Sequence, residues 1–373
     1  MILTKKPLTK SELLLKLQVE GIRHFDESSG ASGRKGGAGP SDHKAITLFG
    51  ETIMVPVYNH ASKESAFWMT KANELGVSQL YQEENRIAPI TFPNQPNFYS
   101  YYTSDGVPMW KIAQLHSKNV LATTVLQNCI RYYDSSTSCQ FCAIGESLKA
   151  NKTIAYKKPH HLAEVAAYAV ENDNIEQFIM TTGTPNTDDR GAKILFESVE
   201  AVKKVVDIPI QVQCEPPSDF AWFQKLKDAG ADTIGMHIEA ATQKIREKIM
   251  PEKASVDLNY YYQAFKAAVE VFGKAQVSTY ILAGLGDSQQ EIIDESIKLI
   301  KMGVYPFVVP FVPIVGTPLQ NHPSPSQSFM KPIMERVGEA LFAYGMTSDT
   351  MKAGCGKCGA CSVLKSFEKS KAA

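Results

Sequence analysis

The stretch EQFIMTTGTPNTDDRGAKILFESVEAVKKVVDIPIQVQC, residues 176–214, runs from one short apolar segment through a polar turn and a helical pattern to a second apolar segment. EQFIMTTG (176–183) and IPIQVQC (208–214) have the continuous apolar character of strands buried on both faces. GAKILFESVEAVKKV (191–205) instead repeats its apolar residues at three- and four-residue intervals, as a helix does. Two parallel strands need a crossover of about this length, so the stretch predicts a parallel strand–helix–strand unit.

The same alternation continues on either side, from about residue 120 to 312. Further strand patterns are LATTVLQN (121–128), DTIGMHIE (232–239), QVSTYILAG (276–284) and PFVVPFV (306–312). Helical patterns fill the gaps at 159–172, 218–230, 258–273 and 288–303, several of them closing on glycine or asparagine. Six strands and five intervening helices predict an α/β chain. Such a sheet must bury both faces, and a partial (β/α)6 TIM-type barrel over residues 116–320 does so. Residues 1–115 read as an α+β extension with an amphipathic helix, a glycine-rich loop (27–42) and a β-hairpin around Gly50 and Glu51. The glycine-rich loop is either a connector or a backbone cradle for an anion. Residues 321–373 read as a helix near 329–344 followed by a cysteine-rich tail.

Thirty-nine basic and thirty-nine acidic residues cancel, and no basic run carries interleaved aromatics, which argues against a nucleic-acid partner. The apolar stretch near the N-terminus is broken by Lys16, and VYPFVVPFVPIVG (304–316) is short and proline-rich, so neither predicts a membrane span. The expected compartment is the cytoplasm. Its reducing conditions make the seven cysteines, an odd number, a poor disulfide framework.

Six of those cysteines fall in two groups. Cys129, Cys139 and Cys142 follow the first strand pattern, in the loop at the carboxyl end where parallel barrels collect function. Three thiolates there can hold three corners of a cubane iron–sulfur cluster and leave the fourth iron open. On spacing alone a zinc site completed by a histidine such as His116 serves as well. Cys355, Cys358 and Cys361 form C-x2-C-x2-C, the start of a ferredoxin-like run around a second [4Fe-4S] cluster, or else a zinc knuckle or a redox tail. Cys214 stands alone at the end of the third strand pattern. It is a buried apolar residue, a fourth ligand to the second cluster, or a residue facing substrate.

The barrel pattern, the three cysteines and Phe141 just before Cys142 together resemble the radical S-adenosylmethionine superfamily. Thr181 to Thr184 is similar to the family's Gly-Gly-Glu stretch, with Thr184 in place of the glutamate. HIEA (237–240) resembles the His-x-Glu-Thr segment of the biotin and lipoyl synthase branch. YILAGLGD (280–287) and FVPIVGTPL (311–319) are similar to later motifs of that branch. The sequence departs from the family in the nine residues between Cys129 and Cys139, where three are usual, and it lacks the cysteine group that precedes the barrel in lipoyl synthase. The family encoded beside a nitrilase in bacterial gene clusters is a further resemblance, and implies a nitrogen-containing substrate.

The resemblance implies a [4Fe-4S] cluster on Cys129, Cys139 and Cys142, and S-adenosylmethionine bound at its open iron and cleaved to a 5'-deoxyadenosyl radical. It further implies a small-molecule substrate and a flavodoxin- or ferredoxin-type reductant. Phe141 is expected near adenine, the backbone of Thr182 and Gly183 near the methionine end, Glu239 at the ribose or amino group, and Gly284 where adenine approaches. No catalytic residue is singled out. The alternatives are a non-catalytic iron–sulfur electron carrier and a zinc-dependent barrel hydrolase, for which His237 is the one histidine on a strand end.

Overall fold

A computed structural model gives the structure and describes residues 8–24, 42–57 and 61–369. Apart from Asp42, the expected glycine-rich loop lies outside the described residues. The N-terminal region contains α1 (Lys10–Glu20), β1 (Arg23–His24), β2 (His43–Leu48), β3 (Glu51–Pro56), β4 (Phe67–Met69), β5 (Val77–Gln82) and β6 (Asn85–Thr91). Its strands form one sheet in the order β1-β4-β5-β6-β2-β3, in which β2 and β3 are the expected hairpin. Thr9 and Glu12 cap α1 reciprocally. The helix is no surface amphipath, because Leu13, Leu14, Leu15, Leu17 and Val19 are all buried against neighbouring elements.

The second sheet has the order β13-β12-β11-β10-β9-β8-β7. Its parallel strands are β8 (Val120–Thr124), β9 (Gln177–Thr181), β10 (Ile210–Gln213), β11 (Thr233–Gly235), β12 (Val277–Ala283) and β13 (Val304–Pro310), preceded by β7 (Gln114–His116). All six expected strands are present. The patterns 121–128, 176–183 and 232–239 overran, because residues 125–128, 182–183 and 236–239 belong to the loops that form the site. The strand β7 was not expected; it pairs antiparallel with β8 through a three-residue turn at Ser117, Lys118 and Asn119. It spans the proposed boundary at residue 115/116.

Helices α2 (Met109–Ile112), α3 (Glu146–Lys149), α4 (Pro159–Asn172), α5 (Ala192–Lys203), α6 (Ala221–Asp228), α7 (Gln243–Ile249), α8 (Pro251–Ala254), α9 (Leu258–Phe272) and α10 (Gln289–Lys301) connect or flank these strands. In α10 a Ser288–Glu291 capping box starts the helix, and Ile292, Ile293, Ser296, Leu299 and Ile300 form its buried stripe. The sheet curls with its helices outside. Residues from β8, β9, β10, β12 and β13 consequently share one interior cavity of about 370 Å³, the partial barrel's lumen.

After α11 (Gln327–Ala343) the tail folds back and closes the amino-terminal end of this lumen, with the short helix α12 (Cys355–Cys358) in the middle. Five buried glutamines meet it, four of them on the barrel strands or just before them. Gln177 accepts from Gly354 N–H at 2.6 Å and Gln211 from Cys355 N–H at 3.2 Å. Gln276 donates to Thr350 O and accepts from Lys352 N–H, and Gln18 of α1 donates to Ala360 O and accepts from Val363 N–H. Gln213 reaches the Cys355 sulfur at 3.2 Å. A polar amide is costly to bury without partners, so these side chains specify the tail's seat. The tail is part of the barrel.

Candidate active site

The loop after β8 carries Cys129, Cys139 and Cys142 to the carboxyl end of the lumen, and all three line the cavity. The extra residues between the first two cysteines fold into a tight, anchored turn. Asp134 accepts from the Ser136 N–H and hydroxyl, and its carbonyl accepts from Ser138 N–H. Arg131 points inward; its Nε and Nη2 donate to the two oxygens of Glu215 at 2.7 and 3.0 Å, and its Nη1 donates to Glu252 O at 2.7 Å. Thr184 also donates to Glu215, at 2.8 Å. Burial pushes the Glu215 carboxyl up, but Arg131, Lys253 and Thr184 together outweigh it and leave it below its ordinary range. This buried fork returns the expanded loop to the barrel, so the long spacing still delivers Cys129 beside the other two.

Burial, more than anything else, raises the thiols: Cys142 is pushed up to about 12 and Cys139 is raised further, each by burial and by the other cysteines nearby. Thiolates there need a cation in place of solvent. Zinc–sulfur bonds of about 2.3 Å would set tetrahedral ligand atoms about 3.8 Å apart. Among the described residues, only Asp105, His160 and His161 bring three ligand atoms within 4.8 Å of one another. The cysteines are near neighbours that do not converge on one ion, which fits the separate iron corners of a cubane.

The histidine–aspartate group is elsewhere and lines no part of the cavity. His161 Nδ1 accepts from Lys158 N–H, so its Nε2 carries the hydrogen and donates to Asp105 at 2.9 Å. The group clamps the 103–107 turn to the start of α4. Among the described residues, a zinc hydrolase centre at the mouth therefore has no convergent histidines and carboxylates to build on.

Phe141 lines the cavity and packs with Ile249, Leu285 and Phe311. Thr182 and Gly183 line it too, but their N–H groups are committed to Gln213 O and Leu126 O. Gly183 is glycine because a Cβ there would lie 2.1 Å from Asn128 O; β9 approaches the cysteine loop that closely. Glu239 lines the cavity with a left-handed backbone at φ 65°. The backbone of Glu239 bonds to Tyr280 O and Leu282 N, and its carboxylate lies 3.0 Å from Lys253 Nζ. Gly284 does not line the cavity, contrary to expectation. Its φ of 108° serves a turn packed on Pro325, and its carbonyl meets His322 Nε2 at 2.8 Å.

Sequence reasoning missed Lys253, which sits on the four-residue α8 with no motif around it. Burial would lower this ammonium, but Glu239 foremost holds it well above its usual range. His237 also lines the cavity. Burial pushes its imidazole down to about 4, so it is neutral near pH 7. Its Nδ1 accepts from Tyr280 N–H at 3.2 Å, which leaves the hydrogen on a buried Nε2 with no partner among the described residues. The buried Thr124 hydroxyl likewise has none. An orphaned donor in a cavity wall is what a ligand with an acceptor would satisfy.

The tail cysteines reach the same cavity from the opposite end: Cys355 and Cys361 line it. Gln18, His43 and Met54 of the N-terminal region line it as well, so the extension forms part of the wall. Cys214 lies among buried apolar residues, its thiol pushed up to about 12 by burial and then by Glu215 and Asp189. None of its electrostatic neighbours is a tail cysteine.

The fold and the site together define an α/β half-barrel with a buried thiol trio at the carboxyl ends of its strands. Residues 135–299 match the family described as the radical SAM superfamily. Members bind a [4Fe-4S] cluster and S-adenosylmethionine. The match begins after Cys129, inside the expanded loop, and selects no branch. The chain is 26% identical over 140 residues to bacteriochlorophyllide c C-7(1)-hydroxylase of Chlorobaculum limnaeum, covering 37% of this chain and 35% of that protein. It is 22% identical over 193 residues to an uncharacterized protein of Methanocaldococcus jannaschii, covering 50% of this chain and 48% of that one. The chain thus spans about a third to a half of the length of these curated relatives. The solved structure of methylornithine synthase overlaps 60% of this chain and 62% of its own, at 17% identity and a TM-score of 0.47, an overlap that assigns no activity. Among the described residues no helix is long and apolar enough to cross a membrane.

Proposed function

We propose that this protein is a radical SAM enzyme acting on a small, uncharged, nitrogen-bearing molecule held in the barrel lumen. The observation that carries the reading is the single cavity joining Cys129, Cys139 and Cys142 to Phe141, Thr182 and Glu239 at one end and to Cys355 and Cys361 at the other. Bound to the first three thiolates, a [4Fe-4S] cluster with one open iron supplies the electron that splits the carbon–sulfur bond of S-adenosylmethionine and starts radical chemistry. The chain's own residues do the rest. Arg131, Glu215 and Thr184 lock the ligand loop, and Lys253 sets a cation near Cys139. Phe141 offers an apolar face to adenine, and Glu239, next to Lys253, offers a carboxylate to the ribose or amino group. Gly183 serves by letting the loop approach.

The charged side chains around the mouth neutralise one another as Lys253–Glu239 and Arg131–Glu215 pairs. Of the buried polar atoms without a partner among the described residues, those in residues that line the cavity are His237 Nε2 and Thr124 Oγ1. A substrate with acceptor atoms and no net charge suits such a wall. Cys355, Cys358 and Cys361 hold a second [4Fe-4S] cluster in this reading, a flavodoxin or ferredoxin delivers the electrons, and free thiols suit the reducing cytoplasm. An electron carrier would have no use for a cavity walled by polar groups without partners.

The experiment is anaerobic reconstitution followed by iron and sulfide analysis and incubation with S-adenosylmethionine and dithionite. Formation of 5'-deoxyadenosine, abolished in C139A and C142A, supports the reading. Zinc in place of iron, or no 5'-deoxyadenosine from iron-loaded protein, overturns it.

A further inference from the structure

The two cysteine trios meet the protein differently. Among the described residues no side chain donates a hydrogen bond to the sulfur of Cys129, Cys139 or Cys142; Cys142 receives a backbone N–H from Ile144. Each sulfur of the tail trio meets a polar side chain. Gln213 Nε2 lies 3.2 Å from Cys355 Sγ, and the Tyr280 hydroxyl donates to the same sulfur. Ser117 donates to Cys358, and His116 Nε2 lies 3.3 Å from Cys361 Sγ.

This shell is built by the fold. His116 ends β7 and Ser117 follows it in the three-residue turn, where its φ of 58° is the left-handed conformation that side chains seldom adopt. The turn aims both residues at the tail. Gln213 and Gln211 are successive inward positions of β10; Gln213 donates to Gln211 at 2.7 Å as well as to Cys355. Tyr280 stands mid-strand in β12, its ring edge-on to Phe307 at 5.1 Å, which fixes the direction of its hydroxyl.

Hydrogen bonds to cluster sulfurs favour the state with more negative charge, the reduced one, and so raise the reduction potential. We infer that His116, Ser117, Gln213 and Tyr280 act as redox-tuning residues that make the tail centre the more oxidising of the protein's two iron–sulfur centres. The inference rests on the reading of the tail as a cluster site. Its own content is the role of four barrel side chains, none of them a ligand.

The test uses the full chain with Cys129, Cys139 and Cys142 replaced by alanine, reconstituted anaerobically, so that only the tail centre remains. Its midpoint potential is read by titration followed by electron paramagnetic resonance, and compared with that of the C355A/C358A/C361A chain. The tail centre is expected at the higher potential. Gln213→Met and His116→Phe, placed singly in the tail-only chain, should each lower its midpoint with iron and sulfide content unchanged. His116→Gln, which keeps a nitrogen donor near the Nε2 position, should restore most of the shift. Midpoints unmoved by either variant overturn the inference. Loss of iron in His116→Phe also overturns it, since His116 would then be a ligand. A tail-only chain that takes up no iron overturns the underlying reading of the tail, a failure distinct from the other two.

Discussion

Lys253 Nζ lies 3.0 Å from Glu239 Oε1, with both side chains almost wholly out of solvent and Cys139 close by. The loop after β11 and the short helix α8, separated in the chain only by α7, meet in this pair. Glu239 holds a left-handed backbone there, a strained geometry that clusters at functional sites. Lys253→Met would leave the carboxylate buried and unpaired, at a cost of about 3–5 kcal/mol. The expected outcome is a large fall in thermal stability together with loss of iron from the mouth centre. The Lys253→Met/Glu239→Gln double variant should recover most of the stability, and equal stability of the single and double variants would contradict the pairing.

The Arg131–Glu215 fork predicts how the loop responds to pH. The Glu215 carboxyl is held below its ordinary range in the folded chain, so its contribution to stability is present above about pH 4.3, the unfolded value, and lost as pH falls through the folded value. In Arg131→Met burial is opposed only by the Lys253 charge and the Thr184 hydroxyl, so the carboxyl rises towards or past its unfolded value and the stability gained above about pH 4.3 shrinks. Urea unfolding across pH 4 to 8 should show a shallower rise of stability with pH in Arg131→Met than in the parent. Glu215→Gln in the Arg131→Met background should flatten the profile.

Two glycines read from the same motifs separate by structure. Gly183→Ala would put a Cβ 2.1 Å from Asn128 O, against backbone that cannot yield without moving Cys129. An overpacked site of this kind costs about 1–3 kcal/mol. Iron per chain should fall towards half as the mouth centre is lost. Gly284→Ala meets no cavity; it strains its own turn, at φ 108°, and crowds Pro325 at 3.0 Å, so both centres should load fully and S-adenosylmethionine affinity, measured calorimetrically, should stay unchanged. Weakened S-adenosylmethionine binding in Gly284→Ala would restore the adenine role first expected of it.

These contrasts mark how far the sequence could be read. The six parallel strands were legible because buried parallel strands are continuous apolar runs, and the helices between them because Ser288–Glu291 and the Ile292 to Ile300 stripe obey local rules. The thiol trios were legible because cysteine spacing is short-range. Lys253 was not, since only tertiary packing of α8 brings it to Glu239. The walls supplied by Gln18, His43 and Met54 were hidden for the same reason. The tail's seat did leave a signal: Gln177, Gln211, Gln213 and Gln276 interrupt or flank strands that should be wholly apolar, and a buried amide without an evident partner implies a segment that comes to meet it.

That cradle separates the tail's structural role from its role as a ligand set. A chain ending at Ser348 would strip partners from Gln18, Gln177, Gln211 and Gln276, all buried, and would uncover the amino-terminal end of the lumen. The truncation also removes Met351, Val363, Leu364 and Phe367 from the core, at about 1.5–3 kcal/mol for each buried side chain, so the sum rivals the whole stability of an ordinary domain. The truncated chain should be insoluble or should unfold well below the parent. C355A/C358A/C361A keeps every one of those backbone bonds and removes only sulfur. It should stay folded, with a circular dichroism spectrum like the parent's, and bind about half as much iron. A truncated chain as stable as the parent would refute the seat, and undiminished iron in the triple variant would refute the ligands.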